Sequence, residues 1–360
     1  KNFPNEIFEY YSIPAYQNGA RPIPEYGREI DSVKLLLDVE TILFGKLNPR
    51  VEKVWKVENF TQHRKIGSTE WLPISPIEGI DPQFVYYSLW SEFVMPLAQQ
   101  QVSGSTPSRQ RVDPSAFYKI KIPLPPLPEQ RSIAAILIAV QRAIEQQEQL
   151  IVLTTELKKA LMQKLFTEGT CGEPQKMTEI GLVPESWEVI KLKSLIREDL
   201  RNGHSAKSTN DDVGIRTLTL TAVTKNDFSE ENTKITSAES MRVKDMWLRS
   251  GDILIERANT LDYVGLAALY EGPNDYAIFP DLMVRVRVDE EKILPKVMAD
   301  YLVTDSCRSY FRLNAKGTAG NFPKIDQGII SALNVPLPPI EEQKIIENAS
   351  RRFDQKIVLH

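Results

Sequence analysis

Apolar side chains recur at alternating three- and four-residue steps through Ile133, Leu137, Val140, Ile144 and Ile151, with Gln147 in the missing place. A second line follows at Leu150, Leu153, Leu157, Leu161 and Leu165. No Gly or Pro interrupts residues 129–168, and Gly169 follows. The pattern predicts one helix of roughly 60 Å, too long to be only the core helix of one domain. So narrow a stripe demands a second helix, as in a coiled coil. Just upstream, Pro123, Pro125, Pro126 and Pro128 exclude regular helix or central strand and favour a stiff, extended entry. Pro128 suits a first helical turn, and Glu129 lies where the helix dipole favours a carboxylate.

The phrase IPLPPLPEQ at 122–130 returns as VPLPPIEEQ at 335–343. Sliding the chain by 213 residues also sets Ile80 on Ile293, Pro82 on Pro295, Leu89 on Leu302, Gly104 on Gly317 and Leu124 on Leu337. With a shift of 211, residues 40–49 fall on 251–260, so that Ile42 and Leu43 meet Ile253 and Leu254, and Asn48 meets Asn259. This collinear set marks an internal duplication, with a period far longer than that of solenoid repeats. Each copy reads as a globular domain followed by a helix. The expected boundaries are 1–123 and 124–170 for the first copy, and 171–335 and 336–360 for the second. The second helix, continuing through Ile345, Ile346 and Phe353, is the expected partner of the first. Duplication within one chain would place the two antiparallel about a pseudo-two-fold axis, with the domains at opposite ends.

The expected fold class is mixed α/β (α+β). In the first copy, Phe8–Ile13 and Ile42–Phe44 read as strands, 81–100 as one helix, and Phe117–Ile122 as a last strand entering the proline run. In the second, strands are expected at Glu188–Leu192, Ile215–Leu220, Asp252–Ile255, Gly265–Tyr270 and Met283–Val288, with a helix at Pro295–Leu313. The segment GLVPESWEVIKLKSLI at 181–196 has no counterpart in the first copy, and the second helix stops sooner after its Glu-Gln than the first. The chain also starts at Lys1 rather than Met. It is expected to be clipped at both ends.

At 360 residues, with 42% hydrophobic and 26% charged residues, the chain can bury two ordinary cores. Its longest apolar run, Ile133–Val140, is too short to span a bilayer. Cys171 and Cys307 are too few and too far apart for a disulfide framework, so a reducing cytoplasm is the default. The net charge of −4 does not favour nucleic-acid binding, yet a local basic face can hide within it, because phosphate attraction acts over about 10 Å in cellular salt.

Catalytic signatures are scarce. His63, His204 and His360 have no ligand-like spacing with either cysteine, and there is no P-loop, no G-x-G-x-x-G and no N-P-P-aromatic motif. Pro280-Asp281 with Glu290-Glu291-Lys292 imitates a metal-dependent nuclease pattern, but a solvated turn explains it better. No metal is expected. Basic residues are denser at Lys46, Arg50, Lys53, Lys56, Arg64 and Lys65, and Arg109 and Arg111 close the small-residue loop VSGSTPSRQRVD. The matching positions of the second copy are Arg257, Asn259, Lys316, Asn321 and Lys324, the last three in the loop AKGTAGNFPK. Arg and Asn can make bidentate contacts to base edges, and Lys can neutralise phosphate. Taken singly, each is more simply a solvated surface charge. The recurrence of polar loops at matching places favours the loops as a set, with Asn48 included.

The paired proline–Glu-Gln–helix phrases, the helix ending LMQKLFTEG and the opening VPESWEVIKL resemble the specificity subunit of type I restriction–modification systems. The resemblance covers essentially the whole chain. It implies two target-recognition domains, each reading one half of a split double-stranded DNA site, and two helical regions that space them. It further implies that this chain carries neither cofactor nor catalysis. Methyltransferase subunits, two of them, dock on the helices and hold S-adenosylmethionine, and a translocating restriction endonuclease subunit can join. The spacer and docking residues would be Ile133, Leu137, Val140, Ile144, Ile151, Leu157, Leu161, Leu165, Ile345 and Phe353. Two other readings stand beside this one: a fragment of a self-sufficient restriction–modification enzyme whose catalytic domains are missing, and a coiled-coil scaffold with no DNA role.

Overall fold

Duplicated sequence positions fold into duplicated backbone. The computed structural model describes residues 3–104, 106–209, 213–317 and 322–359. It divides into two compact units, Lys1–Gln146 and Gln147–His360, and the division falls inside a single helix, Leu127–Glu168. Among the described residues no helix is long and apolar enough to cross a membrane.

Each unit is built on one antiparallel pattern. In the first, Ile42–Gly45 lies between Val54–Lys56 and Trp71–Ile74, with Ile42 opposite Lys56 and Ile74. In the second, Ile253–Glu256 lies between Ala267–Leu269 and Met283–Val286, with Ile253 opposite Leu269 and Val286. The two-residue period of a strand sends alternate side chains to opposite faces. Ile42 and Phe44 accordingly pack on the helices of the first unit, while Leu43 joins Tyr11, Trp55 and Trp71 on the other face. Ile253 and Ile255 divide from Leu254 in the same way. To this core the first unit adds a sheet in which Ile7–Tyr11 pairs antiparallel with Ile23–Tyr26 and parallel with Arg64–Ser68. The second adds the pair Glu188–Lys191 with Asn334–Leu337.

Three expected elements come out differently. The helix expected over 81–100 is two, Pro82–Trp90 and Val94–Gln100. Pro96 explains the break: in one continuous helix its ring would clash with the Glu92 carbonyl, whereas in the first turn of a new helix its missing N–H has no partner to lose. Likewise Pro295–Leu313 divides into Pro295–Leu302 and Asp305–Asn314. There Thr304 ends one helix by donating its hydroxyl to the Tyr301 carbonyl at 2.7 Å, and caps the next by accepting from the Cys307 amide. The strand expected at Phe117–Ile122 is absent. Asp113 caps a short helix, Pro114–Phe117, and no described strand lies where Glu188–Lys191 lies in the second unit, so the extended chain has nothing to pair with.

The long helix stops where Gly169 turns left-handed at φ +67°, and a Cβ there would meet Glu342 Oε1 and Pro184 Cγ at 2.9 Å. Within the second unit its last turns pair with the terminal helix, Ile340–Leu359. The Thr170 amide donates to Glu342 Oε1 at 2.6 Å, and Lys158 Nζ to Asp354 Oδ1 at 2.5 Å. Twelve residues back along one helix match twelve residues forward along the other, so the pairing is antiparallel. Met162 and Phe166 are buried there beside Trp187 and Ile346, with Leu161 and Leu165 partly covered. The rest of the stripe is open: Leu137, Val140, Ile144 and Leu157 are exposed, and Ile133 and Ile151 half-buried. On the terminal helix Phe353 is half-buried, but Ile345 is 54% exposed while Ile346 is fully buried. The buried face runs through Gln343, Ile346 and Ser350, so polar residues set its phase and a count of apolar residues alone misplaces it.

A charge cluster fixes this pairing. Lys296 Nζ lies 2.8 Å from Asp300 and 2.9 Å from Asp354, and Asp354 also holds Lys158. Burial opposes ionisation of Asp354, but the two ammonium groups outweigh it and hold the carboxyl below its ordinary value. A depressed carboxylate stabilises above its unfolded pKa and loses that contribution as pH falls through the folded value. Asp354→Asn should therefore cost about 1–2 kcal/mol at pH 7, discounted below the usual range for bonds to charged groups because Asp354 is partly exposed. Thermal melts of wild type and variant should draw together as pH falls below the ordinary aspartate value of 3.8. A gap that does not narrow with falling pH would remove the ionic explanation.

Candidate nucleic-acid interface

The loops nominated from the sequence are brought together in both units by the same main-chain ladder. In the first unit, the strand Ile42–Gly45 runs into a loop that lies against the hairpin Val102–Ser103/Arg111–Val112. The Val112 amide donates to the Lys46 carbonyl at 2.9 Å, Leu47 bridges Arg111, and the Asn48 amide donates to the Gln110 carbonyl at 2.8 Å. In the second, the Ile325 amide donates to the Arg257 carbonyl at 2.8 Å, Ala258 bridges Lys324, and the Asn259 amide donates to the Pro323 carbonyl at 3.4 Å. The loop positions differ by 211 and the hairpin positions by 213, the two shifts of the duplication. Val102–Ser103/Arg111–Val112 itself recurs as Lys316 bridging Lys324.

A buried charge lies under each asparagine turn. Asn48 takes φ +48°, a left-handed conformation asparagine tolerates, and its carbonyl accepts from Lys53 Nζ at 3.1 Å. Lys53 is only 4% exposed, and burial pushes its ammonium below the ordinary lysine value. In the second unit, Glu256 is fully buried and accepts from Asn259 Nδ2 at 2.5 Å. Burial raises the Glu256 carboxyl against the bonds from Asn259 and Thr224, which favour its charged form. Asn259 Oδ1 accepts from the Thr260 amide, so this side chain is spent on shaping its own turn.

The other nominated residues divide into free and engaged groups. Arg50 and Arg109 are exposed and Lys46 half-buried, and their side chains have no partner among the described residues. Arg111 holds Glu70 through Nε and Nη2, both at 3.1 Å. Among the described residues the exposed Lys324 side chain has no partner, Lys316 pairs with Asp326 at 3.2 Å, and Arg257 Nη1 donates to the Asp281 carbonyl at 3.4 Å while its buried Nε has no partner there. Asn321 lies outside the described residues. The denser basic stretch is mostly not a surface patch: Lys53 and Lys65 are buried, Lys56 donates to Gln83, and Arg64 grips Glu6 bidentately. Neighbours along a strand face opposite sides, so a charge count along the chain overstates the charge on any one face. The nuclease-like residues are tied into separate contacts, with Ser205 donating to Asp281, Arg197 beside Glu290, and Lys292 on Asp289.

Sequence reasoning missed Glu70 and Glu256, and it missed the 64% exposed ring of Phe322 beside the second hairpin. Glu256 aligns with Gly45 at the 211 shift, so the duplication could not point to it.

The family described as type I restriction modification DNA specificity domain matches residues 32–154 and 184–360. The chain belongs to that family. Its two matched segments fall on the two copies of the duplication. Two relatives come from Methanocaldococcus jannaschii. The putative type I restriction enzyme MjaX specificity subunit is 33% identical over 185 residues, covering 51% of this chain and 43% of the relative. The type I restriction enzyme MjaVIII specificity subunit is 28% identical over 284 residues, covering 77% of this chain and 64% of the relative. The chain thus spans less than two thirds of either. The solved type I restriction-modification S subunit from M. genitalium has a TM-score of 0.55 at 14% identity, over 99% of this chain and 84% of that one, and so shares the fold.

Proposed function

We propose that this chain is the part of a type I specificity subunit that reads a two-part double-stranded DNA site, one half by each unit. Residues 1–123 and 171–335 are the reading modules, and 124–170 and 336–360 the helical segments. The observation that carries the reading is the ladder between loop and hairpin, built twice at the duplicated positions in a chain of this family. Each ladder presents an exposed cation with no side-chain partner among the described residues, Arg109 with Arg50 in one unit and Lys324 in the other. Free, exposed cations beside a rigid main-chain frame suit phosphate and base-edge contact. The open stripe through Leu137, Val140 and Ile144 gives methyltransferase subunits an apolar surface to dock on, and S-adenosylmethionine belongs to those subunits. The same assembly takes up the restriction subunit.

The test is DNA binding by the assembly with its methyltransferase, titrated against salt. Arg109→Ala and Lys324→Ala should each weaken binding. A lost phosphate contact should lower the slope of log affinity against log salt by about 0.9, whereas a lost base contact should relax preference at one position by about 1–3 kcal/mol. Unchanged affinity and slope in both variants would leave the hairpins without a DNA role.

A further inference from the structure

The Glu-Gln that ends each proline phrase places a glutamine where a surface polar residue would be expected, yet Gln130 is 1% exposed and Gln343 fully buried. Gln130 Oε1 accepts from the Asp81 amide at 2.9 Å, and its Nε2 donates to the carbonyls of Pro125 at 2.8 Å and Gly79 at 3.4 Å. Gln343 Oε1 accepts from the Leu294 amide at 2.8 Å, and its Nε2 donates to Pro338 at 2.9 Å and Lys292 at 2.8 Å. All six partners correspond at the 213-residue shift. Asp81 and Leu294 are the N-cap residues of the first helix in each helix pair, and Pro125 and Pro338 belong to the extended entries. One side chain therefore ties together the start of the helix, the proline run before it, and the unit's own helical layer.

Glutamine suits this place chemically. Its amide offers one acceptor and two donors in a plane, and here all are filled by main chain. A proline run has no internal hydrogen bonds, so the carbonyls of half-buried Pro125 and buried Pro338 need such a donor. Because every partner is main chain, the clip does not depend on which side chains the held unit carries, and the unit's reading loops can differ while the joint stays the same. Methionine fills the same space without either polar function, and asparagine is one methylene too short.

We infer that Gln130 and Gln343 are positioning residues: each fixes the direction in which a helix leaves its unit, and thereby how strictly the assembly measures the gap between half-sites. This rests on the two-part reading proposed above. The full chain with its methyltransferase would be tested on duplexes that keep both half-sites and vary the gap by one base pair, and on duplexes altered at one base of a half-site. Gln130→Met and Gln130→Asn should lower the preference for the native gap about tenfold, which corresponds to about 1.4 kcal/mol, and leave half-site discrimination as in wild type. Gln343→Met should do the same. A lower melting temperature with an unaltered gap preference would reduce the glutamines to ordinary stabilising residues and overturn the inference. A second measurement reads the joint without DNA: spin labels at Glu92→Cys and Gln146→Cys, with Cys171→Ser, should give a narrow distance distribution that broadens in Gln130→Met. No broadening overturns the positioning role, whereas broadening in a chain whose wild type shows no two-part DNA preference removes the proposed function and keeps the joint.

Discussion

Inserting four residues between Gln141 and Gln147 is expected to lengthen the preferred gap between half-sites by about two base pairs. Four residues add about 6 Å and a little over one turn of helix, and one base pair rises about 3.4 Å. The site is suitable because residues 141–150 are all exposed, and the antiparallel pairing with the terminal helix lies further on, towards Gly169. Inserting one residue instead rotates everything beyond it by about 100° and should abolish modification at the original site. Methylome sequencing checks both. An unchanged gap after the four-residue insertion, or a change in the half-sites themselves, would show that the length of this helix does not set the spacing.

Exchange of residues 180–335 for the same region of a relative should replace one half-site completely and leave the other untouched. The ladder explains why the graft can work: Arg257, Ala258 and Asn259 meet Ile325, Lys324 and Pro323 through main chain, and both sides of that contact travel with the graft. The terminal helix stays behind, held to the exchanged region through Gln343 on main chain and through Asp354 on Lys296. A donor lacking a cation at the Lys296 position should fold less stably while keeping the switched specificity. If both half-sites changed together, two independent readers would be the wrong description.

The duplication, the long helix and the paired polar loops that the ladders join were legible in the sequence, because each rests on positions that must recur or on a period that backbone geometry imposes. The helix breaks near Ser91 and Thr304 were not. Apolar periodicity continues across both, and only the Pro96 ring and the Thr304 hydroxyl interrupt the backbone. The basic stretch from Lys46 to Lys65 misled for another reason. Burial of Lys53 and Lys65 depends on how the chain folds back: Lys53 reaches the Asn48 carbonyl across a turn, and Lys65 lies between the nearby Asn59 and Glu9, which is far away in sequence. Ile345 and Ile346 could not be told apart by hydropathy, since Gln343 and Ser350 on the buried face are polar.

The two shifts of the duplication reflect a difference in length between the loops that meet the hairpins. Between the central strand and its neighbour the first unit has the loop 46–53 and the second the longer loop 257–266, which accounts for the change from 211 to 213. The ladder to the hairpin sits on the first three residues of each loop, so the two extra residues enter beyond it. Closing a flexible loop that is two residues longer costs only about 0.2 kcal/mol. Loop length is therefore nearly a free variable, adjustable in one half of the molecule without shifting the hairpin register or the direction of the helix.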